Sequence, residues 1–270
     1  MARPYHLFTY GKAARTGFTV IGHRGACAYY PENTVVSLQG AIQLGAEMAE
    51  VDVQLTRDGV PVLFHDKNLE RCTGVGGRIS DLGYNEVRKL DAGAWFHPRF
   101  KGVRIPSLRE ACEFCRDRIA LNIEIKAEAV SDGARGGVEE KCIETVTSCG
   151  MHGHVIYSSF DPRALAHLRE IDPSAAVAVL YDRPWWTRRA PSRIVRETGA
   201  DAFNCSRREI SRRWMADLLE NSIPINVYTV NDERGMRRLI AMGVSGIFTN
   251  RPDVLRRVAG ETQARAETAD

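Results

Sequence analysis

Short apolar runs rich in β-branched residues alternate with helical patterns along almost the whole chain. This alternation is typical of parallel strands joined by crossover helices. Eight runs fit strands, and eight parallel strands close a barrel. We therefore predict an α/β fold, a (β/α)8 TIM barrel. The predicted strands are 18–21, 48–55, 119–125, 155–158, 176–180, 202–204, 225–230 and 246–249.

One stretch interrupts the alternation after the second predicted strand. A strong turn signal at Arg57-Asp58-Gly59 is followed by an extended run, residues 60–64, that should fold back beside that strand as a hairpin. From there to about residue 106 the chain is rich in Gly, Asn and Asp. Because such a long irregular connection is uncommon in a compact barrel, we predict an insertion at 67–106 within one domain spanning 1–270.

Charged side chains lie inside two of the predicted strands. Glu50 and Asp52 flank a valine in the second strand, and Glu124 and Lys126 lie at the end of the third. In an extended chain alternate side chains share a face, so the members of each pair should point the same way. Converging carboxylates repel one another unless a hard cation that prefers oxygen ligands lies between them. The pattern favours a site for Mg²⁺ or Ca²⁺ over simple pairing of each carboxylate with a core Lys or Arg.

Two histidines follow predicted extended segments. His23 comes directly after the first strand, at the end where barrels of this class place reactive groups, and His65 ends the hairpin. Displacement at a phosphodiester requires one neutral and one protonated imidazole, because one accepts the proton of the nucleophile and the other protonates the departing alkoxide. Arg24, next to His23, can hold a phosphate oxygen bidentately.

The run Pro31-Glu32-Asn33-Thr34 precedes the first predicted helix. Asn33 or Thr34 would serve as its N-cap, because a side-chain oxygen there accepts a hydrogen bond from a free amide of the first turn. Glu32 either has no special purpose or orients an imidazole, since it lies only a short loop away from His23. Both interpretations of Glu32 stay open at this point.

Nine ordered motifs resemble those of the glycerophosphodiester phosphodiesterase family over nearly the whole chain. The resemblance implies a (β/α)8 barrel with a small insertion after the hairpin, and metal-dependent hydrolysis of glycerophosphodiesters to glycerol 3-phosphate and an alcohol. The motifs are His23-Arg24-Gly25, Pro31-Glu32-Asn33-Thr34, Glu50-Val51-Asp52-Val53, Thr56-Arg57-Asp58-Gly59, His65-Asp66, Glu124-Ile125-Lys126, Ser158-Ser159-Phe160, Val227-Tyr228-Thr229-Val230-Asn231 and Asn250-Arg251-Pro252-Asp253.

The resemblance also implies roles for individual residues. It implies one divalent cation, Mg²⁺ or Ca²⁺, an acid/base pair of histidines, and side chains that bind the phosphate and the alcohol part. Which histidine is the acid, and whether water or a substrate hydroxyl is the nucleophile, stay open. The implied positions are Glu50, Asp52 and Glu124 for the metal, His23 and His65 for acid/base catalysis, and Arg24, Lys126, Phe160 and Tyr228 for the substrate.

Three positions depart from the family pattern. Tyr228 occupies a position where tryptophan is common, Ser245 one where an aspartate often precedes the last strand, and Asn250 one where aspartate is frequent. We expect none of the three to touch the proposed catalytic set. We expect them to affect only the preference for one alcohol.

The first alternative is a lysophospholipase D-like or phospholipase-type phosphodiesterase that acts on a lipid at a membrane surface. The predicted loop 183–189 contains Trp185 and Trp186 among arginines, a composition that suits a lipid interface, although a loop that packs its own rings is the simpler interpretation. The second alternative is a barrel that binds such esters without turnover. The full set of histidines and carboxylates argues against that loss.

Composition narrows the expected partners. With 37 Lys and Arg against 34 Asp and Glu, no global field attracts nucleic acid or an anionic membrane. The seven cysteines are odd in number and scattered, and the first twenty residues hold no long apolar run, so we expect free thiols and a cytoplasmic location. No stretch approaches the roughly 20 apolar residues of a membrane span, so no stable membrane insertion is expected. The expected partner is a small-molecule phosphodiester, and the pattern favours no particular oligomeric state.

Overall fold

The structure is a computed structural model that describes residues 18–182 and 189–267, with side chains of the last helix described to residue 262. The strands in these residues are β1 (Thr19–Gly22), β2 (Met48–Leu55), β3 (Pro61–Leu63), β4 (Ala120–Ile125), β5 (Val155–Ser159), β6 (Ala176–Tyr181), β7 (Ala202–Ser206), β8 (Ile225–Tyr228) and β9 (Gly246–Thr249). Because β1 pairs in parallel with both β2 and β9, eight parallel strands close into a barrel. β3 pairs antiparallel with β2 and forms the hairpin. The predicted (β/α)8 barrel is confirmed.

The observed strand bounds differ from the predicted ones by at most two residues. One such difference is at β8, which ends at Tyr228, whereas the apolar pattern continues to residue 230. Val230 is fully buried, and its amide donates to the Phe248 carbonyl over 2.9 Å. Burial beyond the end of the strand therefore gives Val230 the same apolar character as the strand itself.

The register of the strands sets how deep each side chain lies in the barrel. Met48 pairs with Ile21 on one side and Ala120 on the other, and these side chains belong to an apolar layer inside the barrel. Because alternate residues share a face, Glu50 and Asp52 follow Met48 on the interior face toward the carboxyl end of β2. The barrel interior thus contains an apolar layer at depth, buried polar side chains such as the hydrogen-bonded Asn204 and Asn226, and ionic groups at its carboxyl-terminal mouth.

Helices cover the outside of the barrel and bury an extensive apolar core against it. On the sixth helix Leu165 and Leu168 are buried, and Asp161 caps its start by accepting from the Arg163 amide. Among the helices of the described residues, none combines the length and the apolar character that crossing a membrane requires. The helices are α1 (Val35–Gln43), α2 (Glu70–Thr73), α3 (Tyr84–Val87), α4 (Leu108–Cys115), α5 (Val138–Ser148), α6 (Pro162–Ile171), α7 (Pro191–Thr198), α8 (Arg212–Glu220), α9 (Glu233–Ala241) and α10 (Pro252–Glu267).

The chain between β3 and α4, residues 64–107, is called the β3–α4 segment below. It contains α2, α3 and two short 3₁₀ turns, and it forms a small apolar cluster with the outer side of the hairpin. Leu69 and Cys72 anchor α2 in that cluster. Arg57 ties the hairpin turn to the segment, because its guanidinium donates to Glu86 and to the Asp81 carbonyl. The segment is therefore held in a defined position beside the barrel mouth.

Candidate active site

A cavity of about 220 Å³ opens at the carboxyl ends of the strands and collects eight of the nine predicted site residues. The ninth, Asp52, lies against this cavity, where it pairs with two of the lining cations. The cavity is lined by His23, Arg24, Glu50, His65, Glu124, Lys126, Ser158, Phe160, Leu180, Tyr228, Thr229 and Phe248.

The three predicted carboxylates converge at the base of this cavity. Glu50, Asp52 and Glu124 each offer one oxygen, and these oxygens all lie within 4.8 Å of one another. Burial, together with the charges of its two acidic neighbours, raises the pKa of Glu50 well above its usual value. Burial and the charge of Asp52 raise the pKa of Glu124 to about 7. The cluster is therefore electrostatically unfavourable unless positive charge compensates it.

Two cationic side chains supply part of that compensation. The Lys126 ammonium lies 2.8 Å from a Glu124 oxygen and 3.3 Å from an Asp52 oxygen. Nε of Arg24 lies 3.4 Å from Asp52, and the Arg24 backbone amide donates to Glu50 over 2.8 Å. Although burial opposes it, Lys126 and Arg24 together lower the pKa of Asp52. When all three carboxylates are ionised, two cations leave one net negative charge.

This set of donors fits a divalent cation. Three carboxylates within reach of one another are hard oxygen ligands of the kind that Mg²⁺ and Ca²⁺ prefer. The negative charge that remains after Lys126 and Arg24 are counted favours a further cation at the same place. The chemistry of the donors does not distinguish between Mg²⁺ and Ca²⁺.

His23 follows β1 and is held by a neutral partner. Its Nδ1 lies 2.7 Å from the carboxamide oxygen of Asn250, which can only accept, so Nδ1 bears the proton. The lone pair of neutral His23 is then on Nε2. Burial, reinforced by the nearby charge of Arg24, lowers the pKa of His23 to about 4. The expectation that Asn250 would not touch the catalytic set is therefore wrong.

His65 is held by a charged partner instead. Its Nδ1 lies 2.7 Å from an oxygen of Asp66, and the ring is about one-third exposed. Burial opposes ionisation of Asp66, but hydrogen bonds from Arg71 and His65 lower its pKa to about 2. Asp66 is therefore ionised near neutral pH, so the two histidines have different electrostatic partners, a neutral carboxamide at His23 and an anionic carboxylate at His65.

Arg24 adopts an unusual backbone conformation that shapes the site. Its φ is +51°, and that of Gly25 is +84°, both in the left-handed region. A Cβ on Gly25 would lie 2.4 Å from the hydroxyl oxygen of Ser37, which also donates to the Arg24 carbonyl over 2.8 Å. Only glycine permits this close approach to α1, and the turn directs the Arg24 amide at Glu50.

In the run from Pro31 to Thr34, one residue caps helix α1 and two contact residues of the site. Thr34 is the N-cap of α1, as one of the two predictions had it, but Asn33 is not. Asn33 donates to an Asp52 oxygen over 2.8 Å and accepts from the Asp52 amide over 3.1 Å. Glu32 binds the guanidinium groups of Arg24 and Arg71. The contacts of Glu32 support neither of its two interpretations, because Glu32 orients arginine side chains and not an imidazole.

An aromatic wall faces the ionic part of the cavity. The rings of Phe160 and Tyr228 meet edge to face with centroids 6.1 Å apart. The Tyr228 hydroxyl donates to the Tyr181 carbonyl over 2.6 Å, so that ring is fixed and its oxygen is engaged. The wall therefore offers mainly apolar surface. Trp185 and Trp186, on which the lipid alternative depends, lie outside the described residues.

The sequence analysis did not find the contacts that four residues make in the site: Asn33, Asp66, Arg71 and Asn250. Asp66 adjoins His65 in a quoted motif, and its position next to a predicted acid/base residue was a usable signal. Asn250 was noticed as a departure but not connected with His23, which is 227 positions away. Arg71 lies in a segment without a regular pattern and gave no signal.

A closed parallel barrel with carboxylates, cations and two imidazoles at its carboxyl-terminal mouth defines a TIM-barrel hydrolase site. Comparison with known proteins identifies the family. The model of the glycerophosphoryl diester phosphodiesterase family matches residues 23–254. The chain belongs to this family of hydrolases, and the predicted resemblance is confirmed.

Individual relatives agree with this assignment. A glycerophosphodiester phosphodiesterase from Caldanaerobacter subterraneus subsp. tengcongensis is 34% identical over 241 residues, 87% of this chain and 95% of the relative. A crystal structure of a glycerophosphodiester phosphodiesterase from Agrobacterium tumefaciens is 29% identical, with a TM-score of 0.77 over 88% of this chain and 98% of that one. A phosphodiesterase from Oleispira antarctica, in complex with the product sn-glycerol-3-phosphate, is 27% identical, with a TM-score of 0.79 over 90% and 96%.

Proposed function

We propose that this chain hydrolyses glycerophosphodiesters to glycerol 3-phosphate and an alcohol. The proposal depends above all on the convergence of an acidic cluster, two cationic side chains and two oriented imidazoles in one cavity. Family membership supports the reaction class, and the relative whose structure holds sn-glycerol-3-phosphate supports the product. A volume of about 220 Å³ suits a deacylated diester better than a substrate with acyl chains.

Glu50, Asp52 and Glu124 hold one divalent cation in this proposal, Mg²⁺ or Ca²⁺. When bound, the cation supplies positive charge to the phosphate oxygens and lowers the pKa of an attacking oxygen. Lys126 keeps Asp52 ionised, and Asn33 fixes the orientation of that carboxylate. The chain itself thus prepares the oxygens that the cation requires.

Arg24 and Lys126 bind the phosphate in this proposal. Both guanidinium and ammonium groups line the cavity, and both are already oriented by carboxylates, so little conformational entropy is lost when a phosphate oxygen replaces solvent. Charge develops on the phosphate oxygens as the P–O bond to the alcohol breaks. Fixed cations that face those oxygens stabilise the transition state more than the ground state.

His23 acts as the base and His65 as the acid in this proposal. Neutral His23 accepts at Nε2 the proton of the attacking oxygen, from water or from a neighbouring substrate hydroxyl, as that oxygen bonds to phosphorus. His65, whose Nδ1 lies 2.7 Å from the Asp66 carboxylate, donates its Nε2 proton to the alcohol oxygen as the P–O bond breaks. The carboxamide beside His23 and the carboxylate beside His65 support this direction of proton transfer.

Phe160 and Tyr228 receive the alcohol part of the substrate in this proposal, because they form the apolar wall opposite the ionic groups.

The cytoplasmic location, the single domain over 1–270 and its insertion at 67–106 stay predictions. The seven free cysteines are consistent with a reducing compartment.

The test is an assay for glycerol 3-phosphate released from glycerophosphocholine, glycerophosphoethanolamine, glycerophosphoinositol and glycerophosphoglycerol. We expect release from at least one diester, loss of release with EDTA, and recovery with Mg²⁺ or Ca²⁺. No release from any of the four with either cation would overturn the proposal. Release of choline from lysophosphatidylcholine in place of glycerol 3-phosphate would favour the lipid alternative.

A further inference from the structure

We propose that Arg71, which belongs to the β3–α4 segment and not to the barrel, is a positioning residue that orients both His65 and Arg24 for the reaction. The inference rests on the proposed function for the reaction itself. Its structural part, that Arg71 holds Asp66 and Glu32 in place, rests on the contacts alone.

Arg71 binds two carboxylates, those of Glu32 and Asp66, which do not line the cavity themselves. Its Nη1 and Nη2 donate to the two oxygens of Glu32 over 3.0 and 2.7 Å. Its Nε and Nη2 donate to the two oxygens of Asp66, the latter over 3.0 Å. Each carboxylate is therefore held by a planar, bidentate contact that fixes its orientation as well as its position.

Each of these carboxylates has its second partner in the cavity. Asp66 accepts from Nδ1 of His65 over 2.7 Å, and Glu32 accepts from Nη1 of Arg24 over 2.8 Å. The plane of the Asp66 carboxylate sets the direction of the His65 ring, and Glu32 sets the direction of the Arg24 guanidinium. A single residue thus lies one contact away from the proposed acid and from the proposed phosphate ligand.

Arg71 is not itself placed to bind the phosphate. Four of its five N–H groups donate to the two carboxylates, and the ring of Trp95 lies against its guanidinium with 5.1 Å from the guanidinium carbon to the ring centroid. A substrate anion would have to displace these partners. The role that the contacts support is orientation of other side chains.

The residues around Arg71 in the β3–α4 segment hold its backbone in place. Its neighbours Leu69 and Cys72 are buried in the apolar cluster of the β3–α4 segment, and Trp95 from the same segment donates to the Ala92 carbonyl. Without Arg71, the Glu32 carboxylate keeps the Arg24 guanidinium as a charged partner, whereas among the described residues the Asp66 carboxylate keeps the His65 ring, and the Asp66 carbonyl still accepts from Gln54. The larger loss of order is therefore expected on the His65 side.

The test compares Arg71→Ala and Arg71→Lys with Arg57→Ala as a matched control. Arg57 also joins barrel and segment, through Glu86 and the Asp81 carbonyl, but touches neither histidine nor Arg24. We expect Arg71→Ala to lower kcat by about 10- to 100-fold with KM within about threefold, because misplaced groups lose transition-state contacts. Arg71→Lys should recover only part of the loss, and millimolar guanidinium should partly restore Arg71→Ala. Arg57→Ala should stay within about threefold of the parent in both constants.

A spectroscopic readout makes the structural part independent of turnover. The Nδ1–H resonance of His65, protected by Asp66 in the parent, should broaden or disappear in Arg71→Ala and persist in Arg57→Ala. An unchanged resonance with an unchanged kcat in Arg71→Ala would overturn the inference. If the parent shows no turnover but the resonance behaves as expected, the proposed function fails while the positioning role stands.

Discussion

The two sides of the cavity hold the same kind of residue in opposite ways. On one side His23 follows a barrel strand, is half-buried, and donates a hydrogen bond from Nδ1–H to a carboxamide oxygen. On the other side His65 ends a hairpin, is also partly exposed, and donates a hydrogen bond from Nδ1–H to the carboxylate of Asp66. The comparison teaches that the partner at Nδ1, not the imidazole itself, distinguishes the two rings, and the proposed assignment of base and acid rests on this difference.

The largest effects are expected when either imidazole is removed. His23→Ala and His65→Ala should each lose on the order of 10²-fold or more in turnover of a natural diester while still binding the cation. A diester of 4-nitrophenol separates the two, because its leaving group needs no proton: it should recover most of the loss in His65→Ala and little in His23→Ala. Steady-state rates on both substrates check this. Equal behaviour of the two variants on the activated diester would remove the assignment of acid and base.

Cation binding has its own pH dependence, which must be separated from that of the histidines. Burial and Asp52 raise the pKa of Glu124 to about 7, so a proton competes with the cation at lower pH. Affinity should be highest above pH 7 and fall by at least about tenfold per pH unit below it, since cation binding releases the proton of Glu124 and the raised pKa of Glu50 adds to the dependence. Calorimetric titration with Mg²⁺ or Ca²⁺ between pH 5.5 and about 8 measures this. Affinity that does not change over that range would contradict the raised pKa.

Replacing the neutral partner of His23 by a carboxylate should make its surroundings resemble those of His65. Asn250→Asp places a carboxylate at Nδ1 of His23, which stabilises the imidazolium and raises the pKa of His23 from its lowered value of about 4. Because a base must be deprotonated to act, the acid limb of the kcat/KM profile should move up by about 1 pH unit or more. The profile of the parent, measured in the same buffers, is the control. A limb that does not move would mean that Asn250 does not tune His23.

The smallest effect is expected on the aromatic wall, away from both imidazoles. Tyr228→Phe removes the hydrogen bond to the Tyr181 carbonyl but keeps the ring, so unfolding free energy should fall by about 1 kcal/mol and kcat should change less than twofold. Thermal unfolding and steady-state kinetics measure the two quantities. A loss of turnover above about tenfold would show that the hydroxyl contacts the substrate, against the geometry described here.

Much of the barrel and of its ionic site follows from local pattern. Alternate positions of one strand share a face, so Glu50 and Asp52 must point the same way. The parallel pairing of β2 with β4 brings them beside Glu124. His23 follows a barrel strand, and the carboxyl ends of these parallel strands meet at one mouth. His65 follows the antiparallel β3, so its place at the mouth depends on where the hairpin folds back. These rules need only short stretches of sequence.

The partners of those residues do not follow from local pattern. Asn250 meets His23 only because β9 closes the barrel against β1, a pairing set by the whole fold. Arg71 reaches Glu32 across 39 positions from a segment whose path depends on its own small cluster. Asn33 resembles a helix cap in sequence, and its link to Asp52 depends on a left-handed backbone at φ +56°. Tertiary packing decides all three.

The short hairpin strand β3 is the part of the site that we expect to open first. β3 has three residues and pairs with β2 in the sheet, whereas Glu50, Asp52 and Glu124 are held together by the pairing of β2 with β4, in which β3 takes no part. Local opening of the hairpin would therefore withdraw His65 and leave the three carboxylates assembled. Amide exchange should be faster along β3 than along β4, and mild denaturant should abolish turnover before it abolishes cation binding.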